Sequence, residues 1–208
     1  DVFFAVRDAL HIQVMFPTLS PGQTSLRILH ETRKAHPRPI LTMAVCKVNE
    51  LLFTGGVGGL VTTWRLHRFP DDKRKGPYHI TRLGNLNQRD GRWVHKLYSA
   101  RVDVHRPAAY RYLFAVVDKD VLVWHFDEAL KFDLYCHMRD LHDFPITDVV
   151  YDPSSKRLVT SSMDRCVKVW TFSQHSLKRT DLMPHSRPVR AVVMVKDQQL
   201  LCSICEGG

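Results

Sequence analysis

Nowhere do the 208 residues of this chain run to the ~20 consecutive apolar residues that a membrane helix requires, so no helical span is expected. The opening DVFFAVRDAL has neither the basic start nor the small-residue cleavage site of a secretory signal. Cysteine is scarce and odd in number. Cys46, Cys136, Cys166, Cys202 and Cys205 are spread over several expected strands, which argues against a disulfide framework and for a reducing compartment. Acidic residues are in the minority, 21 against 30 Lys and Arg, and the resulting formal charge of +9 attracts polyanions. The remainder, 44% hydrophobic and 10% aromatic, is the composition expected of an intracellular, cytoplasmic, soluble all-β module.

Three stretches superimpose without a gap, each ending on tryptophan: TGGVGGLVTTW (Thr54 to Trp64), FAVVDKDVLVW (Phe114 to Trp124) and TSSMDRCVKVW (Thr160 to Trp170). In each, an apolar or small-residue run meets a Gly or Asp turn and continues as a β-branched alternating run, the pattern of two antiparallel strands and a tight turn. A unit this short cannot bury its apolar faces alone and must stack on copies of itself. The repeat reaches upstream. His36, Pro39 and Ile40 stand as far from Trp64 as His142, Pro145 and Ile146 do from Trp170, and His185, Pro188 and Val189 begin another copy.

Leu141 to Trp170 resembles a WD repeat in its His start, Pro-Ile strand, Ser-Pro-Asp-Gly-type turn and Ser-x-Asp hairpin, although Arg65, His125 or Thr171 follows each Trp where the family has Asp. The resemblance implies four-stranded antiparallel blades ringed about a channel, and hence a partial β-propeller of about four blades' worth of sheet. The expected segments are the end of a leading blade (1–35), a blade with a basic insertion at 65–82 (36–92), a degenerate blade (93–140), the best-matched repeat (141–184) and the start of a further blade (185–208). In the degenerate blade VHRPAAYRYL reads as an enlarged turn. A seven-blade ring of ~40–45-residue repeats needs about 280–315 residues, so this chain alone is not expected to close one. Further blades of a longer scaffold protein, another chain or a partner strand would supply the rest.

The resemblance also implies a structural tetrad of His142, Ser162, Asp164 and Trp170, with the carboxylate accepting from the imidazole, the imidazole linked to the Ser hydroxyl, and that hydroxyl reaching the indole. The same trio, read as a catalytic Ser-His-Asp, would need an accessible hydroxyl, an oxyanion hole and a cleft. The Ser position is Gly56 and Val116 in the other copies, and the Asp position Gly58 and Asp118. That leaves partial sets, His36 with Trp64 and Asp118 with Trp124.

Other candidate chemistry has a bland reading. Gly55 to Gly59 is followed by neither Lys-Ser/Thr nor a helix, so the glycines read as a tight hairpin rather than a phosphate loop. Cys202 and Cys205 are three apart on an expected strand, where their side chains diverge. Cys136 and His137 near His142 match no metal-ligand pattern. No metal, no cofactor and no enzymatic activity are expected. The basic insertion, with Arg65, Arg68, Lys73, Arg74, Lys75 and Arg82, is either a solvated loop or a surface for RNA, DNA, an anionic membrane or an acidic protein tail such as that of tubulin.

By position, the resemblance places partner contacts at the channel mouth: Arg38, Pro39, Leu41 and Val57; Pro145, Thr147 and Met163; Arg187, Pro188 and Arg190. Arg beside Leu, Val and Met suits an acidic segment with apolar anchors. The expected function is a scaffold binding other proteins, subunits of a large complex, in a cytoskeletal or ciliary setting. A propeller binding nucleic acid through the insertion is the alternative.

Overall fold

Runs rich in Val, Ile, Thr and aromatic residues, each ended by a polar or glycine turn, become strands throughout. The structure is a computed structural model that describes residues 3–20, 23–68, 78–87, 91–195 and 200–207, and these form seventeen strands and no helix. No helix is therefore long and apolar enough to cross a membrane among the described residues.

The strands group in chain order into five antiparallel sheets. The first holds β1 (Phe3–Arg7), β2 (His11–Ser20) and β3 (Gln23–Thr32). Three four-stranded sheets follow: β4 (Ile40–Cys46), β5 (Leu51–Gly56), β6 (Leu60–Arg68) and β7 (Tyr78–Asn87); β8 (Lys96–Arg101), β9 (Arg111–Val117), β10 (Asp120–Phe126) and β11 (Asp133–Met138); β12 (Ile146–Asp152), β13 (Arg157–Ser162), β14 (Cys166–Phe172) and β15 (Leu177–Pro184). β16 (Val189–Val195) and β17 (Leu200–Cys205) form the last. Every Trp-ending stretch is a hairpin: β5–β6, β9–β10 and β13–β14.

The core lies between successive sheets. Strands such as β5 are buried on both faces, so alternate residues serve different neighbours: Leu52 packs with Ile12, Val14 and Trp64 towards the first sheet, while Leu51 and Phe53 pack with Leu97, Leu113 and Phe126 towards the third. Each of the three repeat-ending tryptophans, Trp64, Trp124 and Trp170, faces the preceding sheet; Trp170, for example, packs with Phe114, Val149 and Leu158. Full burial of one such Phe or Leu contributes about 1.5–3 kcal/mol. The outermost β15 is almost wholly exposed.

Registers within the three hairpins are not identical. Trp64 pairs with Leu52 and Trp170 with Leu158, twelve residues back, but Trp124 pairs with Leu113, eleven back. The middle hairpin turns one residue sooner, so the gapless alignment of the three copies breaks at that turn. The long connection from β8 to β9 is an enlarged turn, spanning 102–110; Arg111 to Leu113 already lie on β9.

Neighbouring sheets are tied through their first strands. Leu97 N on β8 donates to Thr42 Oγ1 on β4 (3.0 Å), and Thr147 Oγ1 on β12 donates to Val189 O on β16 (2.7 Å). Buried Asp148 on β12 accepts from Val192 N on β16 (3.2 Å) and from Lys96 Nζ on β8 (2.9 Å), so one carboxylate touches three consecutive sheets. A bulge between Ile146 and Asp148 turns it there; β4 carries the same bulge before Thr42.

Candidate functional site

The constellation around Trp170 is built from the loop before β12, the β13 strand and the β13–β14 turn. His142 Nδ1 lies 2.8 Å from Asp164 Oδ2, His142 Nε2 lies 2.7 Å from Thr160 Oγ1, and Trp170 Nε1 donates to Thr160 Oγ1 at 2.9 Å. A carboxylate can only accept, so Nδ1 carries the imidazole proton and Nε2 accepts from the Thr160 hydroxyl. The chain of donation runs from indole to hydroxyl to imidazole to carboxylate. The hydroxyl at its centre is Thr160, not Ser162, which corrects the expectation from sequence. Ser162 lies two residues further along the same face, donates towards Phe144 O and Pro145 O (2.9 and 3.0 Å), and accepts from Asp164 N. Ser162 therefore has no bond to the imidazole, and both hydroxyls are fully buried, so the Ser-His-Asp set offers no exposed nucleophile.

Burial pushes the His142 imidazole below its ordinary value against the raising pull of Asp164. Burial pushes Asp164 up, but bonds from His142, Asp143 N and Cys166 N hold it below the usual carboxylate range. His36 and His30 are likewise lowered by burial. For each lowered histidine the unfolded chain binds more protons between the folded value and about 6.5, so stability is full above about pH 6.5 and falls as pH drops through it. Asp164 extends the loss below about pH 4. Thermal midpoints should therefore be level above about pH 7 and fall on acidification; a midpoint unchanged down to about pH 5 contradicts this.

Elsewhere the network is rebuilt or incomplete. In the first copy Trp64 Nε1 donates to Thr54 Oγ1 (3.0 Å), while buried His36 bonds Arg38 O through Nδ1 (3.0 Å) and its Nε2 meets no well-formed hydrogen bond among the described residues. With Gly58 at the carboxylate position, nothing fixes the imidazole as Asp164 does. In the second copy the register places Ala115, without a hydroxyl, where Thr160 stands. Asp118 is not the anchoring carboxylate either: it is a turn residue with φ of 56°, and its carbonyl accepts from Ile146 N. Asp120 takes that part, accepting from Arg92 Nη2 (2.6 Å), His137 Nε2 (3.0 Å) and Asp140 N (2.9 Å). Arg92 precedes its first strand by four residues, as His36, His142 and His185 precede theirs. The Arg–Asp pair thus replaces the His–Asp pair. The signal in sequence is Arg92 itself, four residues before its strand where the other copies have histidine.

Residues 134–171, the segment centred on this network, match the WD domain, G-beta repeat family. The whole chain superimposes on the WD40 beta propeller domain of Doa1 with a TM-score of 0.58 at 16% identity, covering 100% of this chain and 59% of that one. A chain of the mitotic checkpoint complex gives a TM-score of 0.66 at 14% identity, covering 98% and 56%. The chain has the WD40 β-propeller fold. It is also similar to the transcriptional corepressor LEUNIG_HOMOLOG of Arabidopsis thaliana, 33% identical over 87 residues, which is 41% of this chain but 10% of that protein. The propeller described by these residues is partial, with three four-stranded blades between a three-stranded and a two-stranded sheet.

The expected partner-contact residues fall at one end of the blades. Val57 N bonds Pro39 O (3.0 Å), Met163 N bonds Pro145 O (3.1 Å) and Glu206 N bonds Pro188 O (2.9 Å), so the β4–β7, β12–β15 and β16–β17 sheets close this end the same way. Leu41 is 45% exposed, and Arg38, Pro39, Pro145 and Arg187 are exposed, while Val57, Met163 and Pro188 are half-buried. Three of the set have partners already, Arg187 Nη1 donating to Glu206 O (3.3 Å). Thr147 spends its hydroxyl on Ser161 and on Val189 O, and Arg190 pairs with Glu206. Two exposed aromatics on the adjoining loops were missed: Trp93, 53% exposed before β8, and Phe144, 58% exposed before β12.

The basic insertion is not one loop. Arg65 and Arg68 lie on β6 and Arg82 on β7, with Arg65 opposite Thr81 and Arg82 opposite Trp64. Cross-strand partners share a face and consecutive residues alternate, so Arg65 and Arg82 point to opposite faces of the blade. Arg82 is further occupied by Asn85 Oδ1 (2.7 Å). Lys73, Arg74 and Lys75 lie outside the described residues.

The glycine run divides in two. Gly58 and Gly59 have φ of 86° and 75° and make the turn, but Gly55 and Gly56 lie within β5, where a Cβ on Gly56 would sit 2.0 Å from Pro39 O. Cys202 is exposed and Cys205 half-buried on alternate faces of β17. The Cys136 thiol is pushed up to about 12 by burial and His137 is engaged by Asp120. Among the described residues no group of three potential ligands is placed to hold a metal ion.

Proposed function

We propose that this chain is a non-catalytic scaffold, a subunit of a larger protein complex, that binds an acidic protein segment carrying an apolar or aromatic anchor across the blade end closed by Pro39, Pro145 and Pro188. The observation behind this reading is the row of exposed Leu41, Trp93 and Phe144 on three consecutive blades, with Arg38 and Arg187 exposed on the loops before β4 and β16. Exposed aromatics beside arginine are the residues that dominate interface energetics once desolvated. Loops on a rigid sheet scaffold are where recognition concentrates. Relatives named for a corepressor and for a checkpoint complex support assembly rather than chemistry. A tubulin tail would satisfy only the acidic half of this surface, so a cytoskeletal or ciliary setting needs a partner with an anchor as well. Among the described residues Arg65 and Arg82 point to opposite faces of the blade, which does not favour the nucleic-acid reading.

Selection from a displayed random-peptide library tests the proposal. The expected winners combine Asp or Glu with Trp, Phe or Leu, and lose at least about tenfold in affinity to the variant R38E/R187E and to W93A/F144A. Winners without acidic residues, or binding unchanged in both variants, overturn it.

A further inference from the structure

The opposite end of the second and third four-stranded blades holds a cavity that the proposed docking surface does not use. The β8–β9 connection is nine residues long (102–110), whereas the equivalent connections, 47–50 and 153–156, are four each. The extra residues build a braced wall. Arg101 donates to Val104 O and Arg106 O (3.3 and 2.9 Å), Arg111 Nη1 to Ala108 O (3.3 Å), Tyr110 N to Pro107 O (3.0 Å) and Val102 N to Tyr110 O (3.1 Å). Behind it is a space of about 420 Å³, within the ~300–1,000 Å³ range of ligand pockets.

Its back wall is aromatic. Tyr112 lies 5.3 Å from Tyr135, 5.6 Å from Tyr151 and 5.6 Å from Phe172, ring centre to ring centre, and Tyr110 borders the same space. A space filled only for packing would favour Phe or Leu, since each buried phenol needs a partner. Burial pushes the Tyr112 and Tyr151 hydroxyls well above their ordinary value, so both remain protonated donors. Tyr151 is spent on Val102 O (2.9 Å).

The rim carries one carboxylate and three basic groups. Asp103 is committed to Lys156 Nζ (2.5 Å) and His105 N (3.0 Å), so it offers little to a cation. Arg106 is exposed at the mouth and His125 stands beside Tyr110, 5.7 Å between ring centres. Flat faces inside and uncommitted positive charge at the mouth define the ligand.

We propose that this cavity binds a ligand in which a flat ring carries a single anionic group, an aryl phosphate or aryl carboxylate, with the ring against the tyrosine wall and the anion at Arg106. The source is either an acidic or phosphorylated aromatic residue of another protein or a free small molecule.

The test uses the intact chain with tyrosine rings isotopically labelled, titrated with phenyl phosphate, with a blocked phosphotyrosyl tetrapeptide and with benzyltrimethylammonium. Saturable shifts of the Tyr110 and Tyr135 resonances with phenyl phosphate are expected, weakened about tenfold or more in R106A, whose side chain is exposed and whose loss leaves the wall standing. R38E/R187E should bind phenyl phosphate like the parent chain, which separates this site from the docking surface. Tighter binding of the tetrapeptide than of phenyl phosphate assigns the ligand to a partner protein, and equal binding to a free molecule. Absence of saturation with both anions, equal affinity in R106A, or preference for the ammonium probe overturns the proposal.

Discussion

Replacing Thr160 with valine is expected to destabilise the fold by about 2–5 kcal/mol in urea or guanidinium titrations. Valine matches threonine in shape, so the change removes one hydroxyl and strands two buried groups, the Trp170 indole N–H and His142 Nε2. Each buried polar group left unsatisfied costs about 1–3 kcal/mol. Ser162→Ala is the control, because Ser162 bonds two backbone carbonyls and the Asp164 amide but neither ring. Its cost should be smaller, about 1 kcal/mol. The opposite order would return the central role to Ser162.

Asp148→Ala should cost about 2–4 kcal/mol, measured the same way. It leaves Val192 N without an acceptor in a buried site and releases Lys96. Because Lys96 is 41% exposed, water takes up most of its lost pairing, and the orphaned amide dominates the cost. Asp148→Asn keeps an acceptor for Val192 N and should recover more than half of the loss. Since one carboxylate touches β8, β12 and β16, the alanine variant should also loosen the blade end on either side rather than a single sheet.

The repeating tryptophans made the hairpins, the all-β class and the resemblance to WD repeats legible in sequence, because alternating β-branched runs and turn residues are local signals. What failed was counting across a turn. The middle copy aligns without a gap, yet its hairpin is one residue tighter, so Asp118 falls in the turn and Asp120 becomes the anchoring carboxylate. Thr160 and Ser162 share a face of β13, because a two-residue step along a strand preserves the face, and only Thr160 lies within reach of the imidazole. Arg92 carries no family signal, since the resemblance marks a histidine at the start of a blade. The tie made by Asp148 joins residues 52 positions apart on β8 and β12 and 44 apart on β12 and β16, which no local pattern encodes. The cavity behind 102–110 was visible only as an enlarged turn. Its tyrosines come from three strands and a loop that meet only when the blades stack.

Amide hydrogen exchange at Leu97 and Val192 reads most directly whether successive blades are stapled through their first strands into one rigid arc. Both amides cross from one blade to the next, to Thr42 Oγ1 and to Asp148 Oδ2. They should be protected to the level of the β5 and β13 core amides, and in Asp148→Ala Val192 should lose that protection while Leu97 keeps it. Exchange of both at the rate of exposed loops in the parent chain would show that the blades move independently, and the fixed row of Leu41, Trp93 and Phe144 would go with them.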